Sequence, residues 1–234
     1  MNIFYTTDII TEERYVLNEE ESWHISGVLR LAPGEIIYLV DGKGGFNKAE
    51  ILECLSKKCT VRILEKKTEY GKSPFTLRIA LAPTKSMDRT EWFIEKATEI
   101  GINEIIFVGC SRSERKIIKL ERLQKILISA MKQSQKAYLP GITDLINFNE
   151  FIKKPFDGQK FIAHCNIEKI RTHLKMSYTS GQNALILIGP EGDFSMEEID
   201  LATQNGFVEI TLGNSRLRTE TAALVACNII HLLN

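Results

Sequence analysis

From residue 75 to the end of the chain, short apolar runs alternate with segments of helical periodicity, and this alternation constrains the fold most strongly. The runs that predict strands are 76–82, 104–108, 160–163, 184–188 and 208–212, with a weaker one near Ile142. Leu120, Leu123, Leu127 and Ala130 recur at three- and four-residue spacing, which predicts an amphipathic helix. A last helix, from about 221 to 233, is apolar nearly all round and should be buried, in the core or at a subunit interface. Strands that alternate with helices predict a mostly parallel sheet with both faces covered.

The first seventy residues follow a different pattern. Short strands near 36–40, 49–52 and 60–64 surround a glycine-rich turn at 41–45, and the polar segment 66–74 is typical of a linker. The sequence therefore predicts two domains, a small β-rich domain at 1–72 and an α/β domain at 73–234.

Two glycine-bearing loops near the end of the chain each follow an apolar run. The first contains Gly189 and Gly192, and the second contains Gly213. Glycine lets the backbone approach a ligand closely and adopt positive φ, and open α/β sheets bind ligands outside the carboxyl ends of their strands. The two loops predict one cofactor pocket, and ordinary strand-to-helix turns are the alternative that the pattern alone leaves open.

Composition and motif searches exclude several classes of site. Lys plus Arg and Asp plus Glu both total 30, so no global charge indicates nucleic acid or a membrane surface. The four histidines form no ligand-spaced cluster, which predicts no metal site. No Gly-x-Gly-x-x-Gly follows the first α/β strand, and the Gly-Lys-Ser at 71–73 lacks the upstream glycine of a P-loop. Five cysteines without a Cys-x-x-Cys pair predict reduced thiols, and the lack of a signal-peptide or membrane-span pattern predicts a soluble, cytoplasmic protein.

Motifs along nearly the whole chain resemble one known family. Gly-Pro-Glu-Gly at 189–192 and Leu-Arg-Thr-Glu-Thr-Ala at 217–222 are similar to the two hallmark motifs of the RsmE family, the small-subunit ribosomal RNA uridine N3-methyltransferases of the SPOUT superfamily. Further matches include His24, Lys85 and the segment 96–101. Asp193 departs from the family pattern, which usually has a second glycine there. The turn can survive this change because Asp tolerates left-handed φ better than most residues.

The resemblance implies an α/β fold with a C-terminal SPOUT-type trefoil knot and a small N-terminal PUA-like β-barrel that binds RNA. It implies methylation of N3 of a uridine in small-subunit (16S) ribosomal RNA, with S-adenosyl-L-methionine as methyl donor and no metal. The implied partners are that RNA or the assembled small ribosomal subunit, and a second copy of the chain in a homodimer with the active site at the interface. No membrane partner is implied.

The resemblance also assigns roles to residues. Those implied to contact the cofactor are His164, Ile188, Gly189, Glu191, Gly192, Leu212, Gly213, Leu217 and Arg218. Arg218 is the candidate for stabilising a deprotonated uracil, and its structural alternative is to hold loop carbonyls or to pair with Glu220. Glu220 is the candidate base, although a carboxylate is also simply favourable in the first turn of a helix.

RNA contacts are expected mainly from basic side chains near the third helical region. The candidates are Arg30, Arg112, Arg115, Arg122, Lys132, Gln133 and Lys136. Such residues bind phosphates without reading sequence, and a solvated helix face is the alternative. Two other functions remain open at this point: an RNA methyltransferase with another target, and a non-catalytic RNA-binding or ribosome assembly factor. The target nucleotide, the state of the RNA substrate, the identity of the base and the dimer geometry are left open as well.

Overall fold

The computed structural model of the chain describes residues 1–8 and 13–234, which form two compact units. One unit comprises Met1–Lys72 and Ile128–Leu139, and the other comprises Ser73–Leu127 and Pro140–Asn234. The chain thus enters the second unit after residue 72, within the polar segment that resembles a linker. Residues 128–139 also belong to the first unit. No sequence pattern predicts this assignment.

Within the described residues, the first unit contains a five-stranded sheet. Its strands are β1 (Ile3–Tyr5), β2 (Arg14–Val16), β3 (Ile36–Val40), β4 (Phe46–Leu55) and β5 (Lys58–Lys67), in the spatial order β1-β3-β4-β5-β2. Among these described strands, the β1–β3 pair alone is parallel, and the other pairs are antiparallel. A short helix, α1 (Glu19–Trp23), continues into a π-helical turn (His24–Leu29) that ends at Arg30 in a left-handed conformation. The strands predicted around the glycine-rich turn are confirmed.

Two cysteines of this unit differ from the expectation of reduced thiols. Cys54 and Cys59 are cross-strand partners in the β4–β5 hairpin, with Cα atoms 4.1 Å apart, and the structure pairs them as a disulfide. The expectation was wrong for this pair because antiparallel pairing, rather than a Cys-x-x-Cys spacing, brings the two side chains together. Cys110, Cys165 and Cys227 form no disulfide.

The second unit contains a sheet in which every strand pair is parallel. Its strands are β6 (Leu77–Leu81), β7 (Glu104–Gly109), β8 (Gly141–Ile142), β9 (Ile146–Asn147), β10 (Gln159–Ala163), β11 (Thr172–His173), β12 (Ala184–Ile188) and β13 (Val208–Thr211). The spatial order is β11-β13-β10-β12-β6-β7-β8, with β9 also paired to β7. The predicted α/β class and each of the predicted strands are confirmed.

Helices connect these strands. They are α2 (Met87–Ile100), α3 (Leu120–Gln133), α4 (Phe148–Phe151), α5 (Leu174–Ser177), α6 (Met196–Gln204) and α7 (Thr219–Leu232). Helix α6 begins with a capping box in which Ser195 accepts a hydrogen bond from the Glu198 N–H and the Glu198 side chain accepts one from the Ser195 N–H. It ends just before Gly206, whose φ of 82° is a left-handed conformation that favours glycine. Both helix boundaries are therefore set by local sequence.

The strands that carry the two glycine-bearing loops lie in the middle of this sheet. All five residues of β12 are buried, which is why its sequence is a continuous apolar run. Strand β10 lies between β12 and β13, and because all three are parallel their carboxyl ends meet at one edge. After β13 the chain returns to place α7 against α2, β6 and β12. The trefoil knot implied by the resemblance requires such a return.

Helix α7 is less buried than its composition suggests. Ala223, Ala226, Cys227 and Ile230 are buried, whereas Leu232 is 75% exposed. One face of the helix therefore packs in the core of the unit, and apolar positions elsewhere on it face outward. Among the described residues, no helix has both the length and the apolarity that a membrane span needs.

Candidate functional site

A cavity of about 950 Å³ opens at the carboxyl edge of β10, β12 and β13. Three loops line it: the β10 loop (residues 164–171), the β12 loop (residues 189–195) and the β13 loop (residues 212–218). Its volume lies within the range of cavities that hold ligands of cofactor size, and its position is the usual one for ligands in open α/β sheets. We call it the carboxyl-edge cavity.

The glycines of these loops serve different purposes. Gly213 has a φ of 135°, and a Cβ added there would meet no atom within 4 Å. Glycine is therefore favoured at this position by the backbone conformation and not by a lack of space. Gly189 lies against the Phe194 ring, which a Cβ would approach to 3.0 Å. Of the three glycines expected to allow positive φ, Gly213 alone adopts it, and Gly189 provides close packing instead.

The β12 loop is held from its outer side. The Arg112 Nη1 donates to the carbonyl of Gly192 at 2.8 Å, and the Glu191 carboxylate accepts from the Lys85 N–H at 2.9 Å. The Asp193 N–H donates to the Pro190 carbonyl at 2.9 Å and closes the turn. These bonds fix the loop backbone while its inner side lines the cavity.

The β12 and β13 loops are also joined directly. The Thr219 hydroxyl, at the first residue of α7, donates to the Gly189 carbonyl at 2.9 Å, and this bond is buried. Arg218 is the N-cap residue of α7, with extended backbone angles. The backbone of Arg218 is therefore fixed beside the β12 loop by its neighbour in the chain.

His164, at the start of the β10 loop, has a fully buried side chain. Its Nε2 lies 2.9 Å from the Glu209 carboxylate, and its Nδ1 accepts from the Asn166 N–H, which makes Nε2 the protonated nitrogen. Burial lowers the pKa of His164 below its usual value, against the opposing effect of Glu209. His164 is thus a neutral ring that supports the cavity wall, and its side chain is not open to the cavity.

Four basic residues line the carboxyl-edge cavity, and they differ in whether they have partners. Lys169 pairs with Asp200 at 2.7 Å, and Arg171 donates to the carbonyl of His164. Arg216 and Arg218 are exposed, and their side chains have no hydrogen bond or ion pair within the described part of the chain. Two uncompensated guanidinium groups at the mouth of a cavity favour an anionic or carbonyl-rich ligand.

Arg218 therefore adopts neither of its structural alternatives. It holds no loop carbonyl, and it is not paired with Glu220, whose Oε1 lies instead 3.9 Å from the Nε of Arg89. The Glu220 side chain is buried, and its Oε2 has no hydrogen-bond partner among the described residues. Because Glu220 does not line the cavity, the structure separates the two residues expected to act together.

Most of the residues expected to contact a cofactor come together at this cavity. Its lining includes His164, Ile188, Gly189, Glu191, Leu212, Gly213, Leu217 and Arg218. Gly192 is not part of the lining, and a Cβ there would meet the Cβ of Arg112 at 3.3 Å. Lys169, Arg171 and Asn214 also line the cavity, and they are not among the residues expected there. A signal for Lys169 and Arg171 existed, because they follow a predicted strand that ends at the same edge.

The residues expected to contact RNA are placed in varied surroundings. In the second unit, Arg115 donates to the carbonyls of Thr84 and Lys85 at 3.2 and 2.6 Å, and Arg122 pairs with Glu91 at 2.6 Å. Together with Arg112, these arginines therefore brace loops and helices of that unit.

The remaining RNA candidates belong to the first unit. Lys132 pairs with Glu21 at 2.7 Å, and its ammonium lies 5.8 Å from the centre of the Phe4 ring. Arg30 and Gln133 are exposed, and Lys136 is half-buried. Arg30 has a φ of 54°, so it belongs to the few residues other than glycine with left-handed backbone.

Comparisons with known proteins place these features in a family. Residues 71–231 match a family model described as an RNA methyltransferase domain, and residues 17–64 match one described as an RNA methyltransferase PUA domain. A ribosomal RNA small subunit methyltransferase E from Rickettsia conorii is 30% identical over 213 residues, which cover 90% of this chain and 86% of that relative.

Two solved structures extend the similarity to the whole fold. A probable rRNA-methyltransferase from Porphyromonas gingivalis is 42% identical with a TM-score of 0.93, covering 100% of this chain and 98% of that one. A ribosomal RNA small subunit methyltransferase E from Neisseria gonorrhoeae, bound to S-adenosyl methionine, is 30% identical with a TM-score of 0.86, again covering 100% and 98%. The chain therefore belongs to the ribosomal RNA small subunit methyltransferase E family of RNA methyltransferases.

Proposed function

We propose that this protein transfers a methyl group from S-adenosyl-L-methionine to N3 of a uridine in small-subunit ribosomal RNA, and that it does so in the cytoplasm as a homodimer. The observation that carries the proposal is the carboxyl-edge cavity, which is lined by eight of the nine residues expected at a cofactor site. One of the eight is Arg218, whose side chain has no partner among the described residues. The Neisseria gonorrhoeae relative, bound to this methyl donor, supports the choice of cofactor.

The cavity fits such a cofactor in size and in lining. A volume of about 950 Å³ accommodates a nucleoside with an amino-acid tail, and Gly213, which lines the cavity, carries no side chain that would fill it. Ile188, Leu212 and Leu217 supply apolar lining. S-adenosyl-L-methionine supplies an electrophilic methyl group when bound. Positioning a nucleophile against such a group contributes roughly 7–11 kcal/mol in favourable cases.

The uracil N3 must lose its proton before it is a good nucleophile, and we propose that Arg218 makes this loss easier. A guanidinium beside a uracil carbonyl oxygen stabilises the negative charge that spreads over the ring. Arg218 is suited to this role because its backbone is fixed at the start of α7 while its side chain has no partner in the described part of the chain.

We assign Glu220 a positioning role instead of the role of base. The carboxylates that line the cavity, Glu191 and Asp193, both accept backbone N–H bonds, and Glu220 lies outside the lining. In this proposal the N3 proton leaves to solvent. A carboxylate in the first turn of α7 stabilises the positive end of that helix and so holds the segment that carries Arg218.

Methyl transfer to defined RNA tests the proposal. Labelled S-adenosyl-L-methionine is incubated with small ribosomal subunits and, separately, with protein-free ribosomal RNA, both from cells that lack the modification. The product nucleoside is then identified by mass spectrometry. We expect 3-methyluridine, and the better substrate of the two shows whether the assembled subunit is the partner. A different methylated nucleoside would refute the N3 assignment. Absence of cofactor binding would favour a non-catalytic RNA-binding or assembly factor.

A further inference from the structure

Asp193 is the one residue other than glycine that both lines the carboxyl-edge cavity and has a left-handed backbone, within the described part of the chain. Its φ is 62°, a conformation that an L-residue adopts less readily than glycine. Asp is among the residues that tolerate this region best, so the turn is intact, as the sequence predicts. A side chain at such a position is expected to make compensating contacts.

Those contacts join two walls of the cavity. The Asp193 Oδ2 accepts a hydrogen bond from the Cys165 N–H at 2.8 Å, and its Oδ1 accepts one from the Phe194 N–H at 2.9 Å. Cys165 belongs to the β10 loop, and Phe194 belongs to the β12 loop. A carboxylate that accepts backbone N–H groups makes hydrogen bonds stronger than those between neutral groups.

The sheet explains why this bridge matters. Strands β10 and β12 are parallel neighbours, with Ala163 paired to Ile188, so their loops leave the sheet side by side. Beyond these strands, the described residues contain no backbone hydrogen bond that joins the β10 loop to the β12 loop. The Asp193 carboxylate joins the two loops at Cys165. This residue follows the buried His164 and is the first exposed residue of the β10 loop.

We propose that Asp193 is a positioning residue for the cofactor: its carboxylate ties the β10 loop to the β12 loop and sets the width of the carboxyl-edge cavity before the ligand enters. Glycine at this position would relax the backbone, but it has no carboxylate to accept the hydrogen bonds from the Cys165 and Phe194 N–H groups. The inference rests on the proposed function for the identity of the ligand, S-adenosyl-L-methionine, and not for the bridge itself.

The test compares three variants with the wild type. D193G removes the bridge and relaxes the backbone, whereas D193N keeps a side chain that tolerates left-handed φ and one amide oxygen that can accept a bond. Q135G is the matched control, because Gln135 also has a left-handed backbone (φ 58°) but lies in the first unit, outside the cavity. Affinity for S-adenosyl-L-methionine is measured by titration calorimetry, loop opening by hydrogen exchange of the peptide that contains the Cys165 amide, and folding by thermal denaturation.

We expect D193G to bind the cofactor about tenfold more weakly, since it loses two charge-assisted bonds that preorganise the site. D193N should stay within about threefold of the wild type, and Q135G should match it. In the unliganded protein, the Cys165 amide should exchange faster in D193G than in the wild type, with no fall in the thermal midpoint, because glycine suits the backbone at this position.

Two results would overturn the inference. The first is wild-type affinity in D193G, and the second is unchanged exchange at Cys165. If the wild type itself fails to bind S-adenosyl-L-methionine, the proposed function is lost. The exchange comparison then decides alone whether Asp193 holds the β10 loop.

Discussion

Replacing Arg218 with alanine is the sharpest test of how the reaction would work. The side chain is exposed and has no partner within the described residues, so its removal leaves no buried group unsatisfied and should not change the thermal midpoint. Removing one group that stabilises developing negative charge typically lowers kcat by roughly 100- to 1,000-fold, or about 2.7–4 kcal/mol. We expect R218A to fall in this range at neutral pH, with far less effect on RNA binding.

The pH dependence separates this role from a merely structural one. If Arg218 favours the N3 anion, its loss raises the pKa of the bound uracil, and the rise of kcat with pH should shift to more alkaline values. R218A should therefore recover part of its activity as the pH increases. R218K should retain more activity than R218A because it keeps the positive charge without the planar fork.

Arg216 offers a matched control for this experiment. It also is exposed, lines the same cavity and has no partner in the described part of the chain, but it precedes the segment fixed by Thr219. Single-turnover methyl transfer is measured for R216A and R218A over a range of pH. The reasoning fails if R218A stays within about threefold of wild-type kcat, or if R216A loses as much and shows the same alkaline shift.

Three further predictions concern other parts of the site. G213V should weaken cofactor affinity while the protein stays folded, because φ of 135° costs valine about 1–3 kcal/mol in the β13 loop. G181V, with φ of 81° and equally open space, is the control, and equal affinities of the two variants in titration calorimetry would contradict a role of the β13 loop. E220Q should leave the pH profile of kcat unchanged because Glu220 lies outside the cavity, and a profile that loses its acidic limb would restore Glu220 as the base. Burial holds the pKa of His164 below its usual value of 6.5, so its contribution to the free energy of unfolding is present above pH 6.5 and is lost as the pH falls through its folded-state pKa. Denaturant unfolding between pH 7 and 5 should show this loss, and H164N should show less of it.

The parts of this fold that the sequence predicts are those that local patterns specify. Parallel strands buried on both faces require continuous apolar runs, and for that reason β12 could be delimited to the residue. The capping box at Ser195 and the left-handed Gly206 are similarly local, since each depends on side chains within one helical turn. Neither required knowledge of which strands are neighbours.

Local patterns do not specify the direction in which a side chain points in the folded protein. Arg218 and Glu220 are two residues apart, but α7 begins at Thr219, so the first stays at the cavity and the second faces Arg89 on α2. Although they are close in sequence, the phase of the helix directs the two side chains to different neighbours.

The sequence by itself determined the α/β class, the strands, the family motifs and the loops that line the site, because these depend on local propensity and on residue identity. The tertiary structure alone decided which basic side chains are engaged, that Cys54 and Cys59 pair, and that Asp193 connects two loops. These outcomes depend on contacts between residues distant in the chain. Such contacts become fixed when strand order and register bring their backbones within hydrogen-bonding distance.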